Sequence, residues 1–196
     1  MTLVKPKPAT YADIEALPPN LTGEILYGSL VTHPRPASPH IMAASTLGYL
    51  LGPPFHLGSG GGPGGWIIFD EPELHLGPHV VVPDMAGWKH ERFTEREDGP
   101  WFEVVPDWIC KVQSPSTRAI DLGSRRRIYA MYGVDYIWHI DPVAKLLEVF
   151  VRQNKNWLLP DTFIDQETVS APPFDAISFP LGQLWPFDPP TAADSN

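Results

Sequence analysis

Acidic and basic side chains stand beside apolar, strand-like segments at several places in this sequence. Asp84 ends one apolar run, and Lys111 interrupts another that extends from Trp108 to Val112. Further along, Asp121 and Arg125 are four residues apart, a spacing that places both side chains on one face of a helix. Such carboxylates and cations can pair with each other, and cations held in this way can also clamp a phosphate group.

Helix signals indicate how these residues are positioned. Ser38 is predicted to cap a helix whose apolar face includes Ile41, Leu47 and Leu51. Ser116 or Thr117 is predicted to cap a later helix that carries Asp121 and Arg125, and Gly133 suits the left-handed residue that ends it.

Strand signals lie before, between and after these helices. A strand, a turn and a second strand are predicted around Gly28, and the remaining extended segments are 66–69, 73–76, 80–82, 85–88, 108–112, 134–140, 146–151 and 157–159. Strands interrupted by one long helix predict an α/β (or α+β) fold with a mixed sheet.

Length and composition limit the class of protein. The 196 residues fit one domain, predicted at 1–186, followed by a polar, proline-rich and poorly ordered tail at 187–196. A single cysteine, Cys110, excludes an internal disulfide and suits a reducing compartment. No segment resembles a signal peptide or a membrane span, so we expect a soluble, cytoplasmic protein without a membrane partner. The net charge of −9 disfavours broad adhesion to nucleic acid without excluding a nuclease.

One glycine-rich stretch invites a functional interpretation. Residues 58–65 read Gly-Ser-Gly-Gly-Gly-Pro-Gly-Gly, which is similar to a phosphate-binding loop in composition alone. The Gly-Lys-Ser/Thr ending is missing and no helical pattern follows, so the stretch is predicted to be a flexible connection.

The ordered set of segments in this chain resembles a known family, the Uma-type restriction endonucleases of the PD-(D/E)XK nuclease superfamily. The resemblance extends from about residue 11 to residue 157. The segments that carry it are Glu24-Ile-Leu-Tyr-Gly28, His40, Val-Pro-Asp84-Met-Ala-Gly-Trp88, Pro106-Asp-Trp-Ile-Cys110, Ser114-Pro-Ser-Thr117, Asp121 and the run from Tyr129 to Pro142.

The resemblance implies a restriction-endonuclease-like core, in which helices flank a central mixed sheet. It also implies a Mg²⁺ site that includes Asp84 and an acid on the next strand, with Glu24 supporting the metal or its water shell. The metal would activate a water for hydrolysis of DNA phosphodiester bonds. Nucleases of this fold often pair to cut two strands, so a homodimer is expected.

The chain departs from the family pattern at its centre. Lys111 stands where the second acid is expected, and Gln113 stands where the wider superfamily keeps a lysine. The lysine that the family takes from the following helix aligns with Arg125, which can clamp phosphate but stays protonated. Asp84, Lys111 and Arg125 are therefore the candidate catalytic residues, in an incomplete acid–acid–lysine triad.

Several candidate site residues have simpler alternatives. Lys111 could be an edge-strand residue that reaches solvent or a site lysine paired with Asp84, and Glu24 could belong to a solvated hairpin. His40 could cap or pack a helix, and Arg126 could be an ordinary surface charge or a phosphate contact. Asp121 is expected to pair with Arg125 rather than to bind metal. Gln113 is a further candidate for phosphate contact or support.

Two hypotheses about function follow. The first is a Mg²⁺-dependent endonuclease that acts on DNA, in which Asp84 and Glu24 hold the metal. The second is a catalytically degenerate nuclease fold that acts as a nucleic-acid-binding or protein-interaction module. The residue at position 111 separates the two, because an ammonium group beside Asp84 opposes a metal ion.

Overall fold

The computed structural model of the chain describes residues 7–93, 99–114 and 120–187. Its α-helices are α1 (Tyr11–Glu15), α2 (Ser38–Leu51) and α3 (Arg126–Tyr132). Short π-helical segments follow α2 at Gly52–His56 and precede α3 at Asp121–Arg125, and a 3-10 turn forms at Leu181–Leu184. The strands are β1 (Leu21–Leu26), β2 (Ser29–Pro34), β3 (Trp66–Asp70), β4 (Leu74–Leu76), β5 (His79–Val81), β6 (Met85–Lys89), β7 (Trp108–Val112), β8 (Tyr136–Asp141), β9 (Leu146–Gln153), β10 (Asn156–Ile164), β11 (Thr168–Val169) and β12 (Phe179–Pro180).

A six-stranded sheet with the order β10-β9-β8-β7-β6-β3 forms the centre of the fold. Its neighbouring strands are antiparallel except β7 and β8, which run parallel. A parallel pair needs a crossover connection, and the chain between these two strands contains α3. A four-stranded sheet, β2-β1-β5-β4, and the short pair β11-β12 complete the described strands. The mixed α/β architecture predicted from the sequence is confirmed.

The six-stranded sheet has an apolar core on each face. Cys110 and Val112 of β7 pack in the same cluster as Leu47 of α2, whereas Ile109 packs in the cluster that contains Ile128 of α3. Successive strand residues face opposite sides of a sheet. Lys111 therefore shares the α3 side with Ile109, at the end of the strand where that apolar cluster stops.

The predicted helix boundaries were partly correct. α2 begins at Ser38, but Ala37 is its N-cap residue, so the prediction of a Ser38 cap was wrong by one position. Leu47 and Leu51 are buried as predicted, whereas Ile41 is exposed, in contrast to its predicted place on the apolar face. Gly133 adopts a left-handed conformation with φ 91° directly after α3, as predicted. The proposed caps at 116 and 117 lie outside the described residues.

Other predictions about the whole chain have mixed outcomes. Cys110 is a buried free thiol. Within the described ranges, no helix combines the length and the apolar character needed to cross a bilayer. Apart from Phe187, the tail predicted at 187–196 falls outside the described residues, and the 1–186 domain boundary stays a prediction.

Candidate functional site

The position of Asp84 is fixed where the pairing of β6 with β7 ends. Met85 is paired with Cys110, and the backbone N–H of Asp84 donates to the Cys110 carbonyl at 3.2 Å. Two residues further along β7, the Val112 N–H donates to Asp84 Oδ2 at 2.6 Å. The Asp84 side chain thus accepts an N–H of β7 at the point where the backbone pairing of β6 with β7 ends. This bond directs the carboxylate toward Lys111.

The second Asp84 oxygen has two cationic or potentially cationic partners. Lys111 Nζ donates to Asp84 Oδ1 at 3.2 Å, and His40 Nε2 lies 2.9 Å from the same oxygen. Burial alone would raise the pKa of Asp84, but the charge of Lys111 and the hydrogen bonds with His40 and Val112 hold that pKa below its ordinary value. Asp84 is therefore ionised and fully engaged.

Lys111 is a buried lysine that pairs with Asp84. Its side chain is 6% exposed, and β7 lies between β6 and β8 rather than at a sheet edge. The edge-strand alternative is therefore wrong. Besides Asp84, Nζ donates to the Val82 carbonyl at 3.3 Å, so two of its three N–H groups have protein acceptors among the described residues.

A second ion-pair cluster lies next to the first, and it is centred on Glu24. Arg125 Nε donates to Oε1 at 3.1 Å and to Oε2 at 3.0 Å, and a terminal guanidinium nitrogen, Nη2, also bonds Oε2. Arg125 Nη1 bonds Asp121 Oδ1 at 2.6 Å, which confirms the predicted pairing of those two residues. Glu24 is completely buried, so the solvated-hairpin alternative is wrong.

The ionisation of Glu24 follows from its partners. Burial acts to raise its pKa, but hydrogen bonds with His33 and Arg125 and the charges of Arg125 and Lys111 lower that pKa to about 2. For Arg125, burial opposes the charged form, and the bonds to Glu24 outweigh it and raise the pKa. Both side chains are therefore charged at neutral pH.

The backbone of Val82 connects the two clusters. Its N–H donates to Glu24 Oε1 at 2.9 Å, and its carbonyl accepts from Lys111 Nζ. Residues on β1, β7 and the segment before α3 are in this way held to the short connection between β5 and β6. The two clusters are therefore joined through the backbone of one residue, Val82.

The residues present do not fit a Mg²⁺ ion between Asp84 and Glu24. Within the described part of the chain, no group of three His, Cys, Asp or Glu side chains has the arrangement needed to hold a metal. Both Asp84 oxygens and both Glu24 oxygens already accept bonds from protein groups, and an ammonium group stands at the second acid position. Mg²⁺ requires a near-octahedral set of oxygen ligands, which this centre does not offer.

The remaining candidate residues are distributed around this centre. Gln113 is buried, and its Oε1 has no hydrogen-bond partner among the described residues. Arg126 stacks over the Phe150 ring at 4.0 Å, which turns its guanidinium toward β9. Two acids outside the candidate set lie on the segment before Asp84. Glu71 is exposed, and its N–H donates to the Asp84 carbonyl at 3.0 Å, whereas Glu73 pairs with His75 at 2.8 Å.

Two histidines near the centre were missed by sequence reasoning. His33 Nε2 lies 3.3 Å from Glu24 Oε2. His139 of β8 is in register with Lys111 across the parallel pair, and burial together with the charges of Arg126 and Lys111 lowers its pKa to about 3. Strand alternation in β2 could have placed His33 on the side of Glu24, but the β7–β8 register has no signal in the sequence.

Comparisons with known proteins agree with this architecture. Residues 8–182 match the model of the Uma2 family, which is described as "Putative restriction endonuclease". The structure is also similar to the crystal structure of a protein from Anabaena variabilis, described as a putative nuclease belonging to DUF820. In that comparison the TM-score is 0.69 and the sequence identity 21%, with 91% of this chain and 98% of the other covered. A search among curated proteins gave no match.

The fold and the strand-end cluster of charged side chains define a nuclease-like protein with a central mixed sheet. The chain belongs to the Uma2 family of restriction-endonuclease-like proteins, because the family model covers most of its length. The resemblance read from the sequence segments is thereby confirmed. The likeness to the Anabaena protein adds the fold.

Proposed function

We propose that this protein is a nuclease-fold module that binds nucleic acid without a Mg²⁺ ion in its Asp84 centre, and that it does not cleave by the metal-dependent route. The observation that carries the proposal is the buried ion pair between Lys111 Nζ and Asp84 Oδ1 at 3.2 Å. The family membership supports nucleic acid as the partner. The net charge of −9 favours a local contact over binding along a long stretch of backbone.

Electrostatics opposes the addition of a metal to this centre. A single and a double positive charge about 4 Å apart, at an effective dielectric constant of about 20, repel by about 8 kcal/mol. Asp84 would also have to release Lys111 and His40 before it could coordinate an ion. Arg125 cannot accept a proton from a nucleophilic water, and Glu24 and Asp121 already occupy its guanidinium.

Metal binding tests the first half of the proposal. Titration calorimetry with Mg²⁺ and with Mn²⁺ is expected to give no heat of binding for the native protein and a measurable isotherm for Lys111→Glu. Lys155→Glu is the matched control, because it makes the same charge change at an exposed position. A native protein that binds Mg²⁺ as tightly as Lys111→Glu would overturn the proposal.

Nucleic-acid binding tests the second half. Fluorescence anisotropy in the presence of EDTA is expected to detect binding of a labelled oligonucleotide by the native protein. If neither a single strand nor a duplex binds, the module has no nucleic-acid role and the proposal fails.

The competing function is a Mg²⁺-dependent endonuclease acting on DNA, which family membership favours. Incubation of the native protein with supercoiled plasmid and Mg²⁺ or Mn²⁺ distinguishes the two. Nicked or linear product that appears with the native protein, and disappears in Asp84→Asn, would establish the endonuclease. A homodimer and a cytoplasmic location, both expected from the sequence, stay predictions.

A further inference from the structure

A cavity of about 300 Å³ opens directly above the Asp84–Lys111 pair. Pro34, Pro36, Pro142 and Val143 contribute apolar wall to it, and Gln113 lines it together with the ion pair. Its volume is at the small end of the range for ligand pockets in proteins. A single small ring system fits such a cavity, whereas the side of a duplex does not enter it.

The charges around the cavity nearly cancel. Among the described residues that line it, the cations Lys111 and Arg35 are balanced by the carboxylates of Asp84 and Glu71. A polyanionic duplex backbone gains little from such a surface. A neutral, flat ligand needs no net positive charge in order to bind between the apolar walls. One phosphate attached to that ligand can contact the exposed Arg35 at the side of the cavity.

Two polar groups at the inner end have hydrogen-bonding capacity that no described residue uses. Lys111 has a third N–H group beyond those that bond Asp84 and Val82. Gln113 is 5% exposed, and its Oε1 is buried without a partner in the described part of the structure. Buried polar groups are normally hydrogen-bonded, so an unpartnered amide oxygen on a residue that lines the cavity favours a ligand that brings a donor.

We infer that this cavity receives one unpaired nucleobase of a nucleic-acid strand, with the Gln113 amide and the Lys111 ammonium contacting its polar edge. The inference rests on the proposed function and specifies its ligand. Unpaired bases present N–H donors and ring acceptors on an edge that pairing would otherwise occupy, and proteins read them between apolar side chains. Recognition of this kind needs neither a metal ion nor a broadly basic surface.

The test compares four labelled DNA probes by fluorescence anisotropy in EDTA: a single strand, its full duplex, the duplex with one bulged base, and the duplex with an abasic bulge. The native protein is expected to bind the single strand and the bulged duplex about tenfold more tightly than the full duplex. The abasic bulge is expected to bind like the full duplex.

Three variants assign the effect to the cavity. Val143→Trp fills the cavity from an exposed position and is expected to remove the preference for unpaired bases. Leu158→Trp is the matched control, because it adds the same ring at an exposed aliphatic residue of β10 outside the cavity lining. Gln113→Leu is expected to weaken binding of the bulged duplex about fivefold, through loss of one hydrogen bond, while the affinity for the full duplex is unchanged.

The outcomes separate this inference from the proposed function. Equal affinity for the bulged, abasic and full duplexes, or an unchanged preference in Val143→Trp, would overturn the nucleobase site and leave metal-free nucleic-acid binding standing. Failure of all four probes to bind would overturn the proposed function and this inference together.

Discussion

Lys111 Nζ lies 3.2 Å from Asp84 Oδ1, with both side chains less than a tenth exposed. In a nuclease of this superfamily, the resemblance places a second acid and a metal ion where that ammonium group stands. The structure thus has the ammonium group of a lysine at the position where the resemblance implies a bound metal ion. His40 and the Val112 N–H complete the set of groups around the carboxylate.

Replacement of Lys111 by methionine should destabilise the protein by about 3 kcal/mol, because it leaves the Asp84 carboxylate buried without its main counter-charge. The free energy of unfolding in urea measures the effect. Lys155→Met, at an exposed turn, is the control and should change the stability by less than about 0.5 kcal/mol. Equal stabilities of the two variants would show that the pair contributes nothing.

Arg125→Lys should lower the free energy of unfolding by about 2–3 kcal/mol, although the charge is kept. The guanidinium bonds both Glu24 oxygens and Asp121 at once, and a single ammonium group cannot reproduce that geometry. Arg127→Lys, two positions along and exposed, serves as the control in the same urea titration. An equally large loss of unfolding free energy in Arg127→Lys would contradict a specific role for the buried guanidinium group of Arg125.

His139 should make the protein less stable as the pH falls below 6.5. Its folded-state pKa of about 3 lies below the ordinary value of 6.5, so between these values the unfolded chain binds a proton that the folded chain does not. The contribution is therefore complete above 6.5 and is lost at up to about 1.4 kcal/mol per pH unit on acidification.

His139→Leu removes this titration, and the measurement is unfolding in urea at several pH values between 4 and 7. The other acids and histidines titrate in both proteins, so the difference between the native protein and the variant isolates His139. Parallel pH profiles would show that His139 is not held neutral in the folded state.

Gly133→Ala should cost about 1 kcal/mol of stability, because position 133 has φ 91° and no clash accompanies the added methyl group. The cost is then purely one of backbone conformation. Gly52→Ala is the matched control, since Gly52 has φ −58° and equally open space around its Cα. Thermal unfolding should therefore place the Gly133 variant below the Gly52 variant.

Local patterns determined a large part of this structure in advance. The apolar run of β7 matched its observed bounds, and the spacing of Asp121 and Arg125 gave their ion pair, since helical neighbours four apart meet whatever surrounds them. The prediction that Ile41 would be buried was wrong. Its apolar character predicted burial, but its side chain is about half exposed, because an amphipathic pattern does not say which flank of a helix is covered.

The ordered segments, and the lysine at position 111, could be read from the sequence alone, because residue identity and order along the chain are enough to reveal them. Tertiary structure decided what that lysine does. Whether Lys111 reached solvent or Asp84 depended on β7 lying inside the sheet. The contact of Glu24 with Arg125, 101 residues away, likewise exists only in the folded chain. Those contacts arise from strand order and register, which are set by packing over the whole chain rather than by neighbours in sequence.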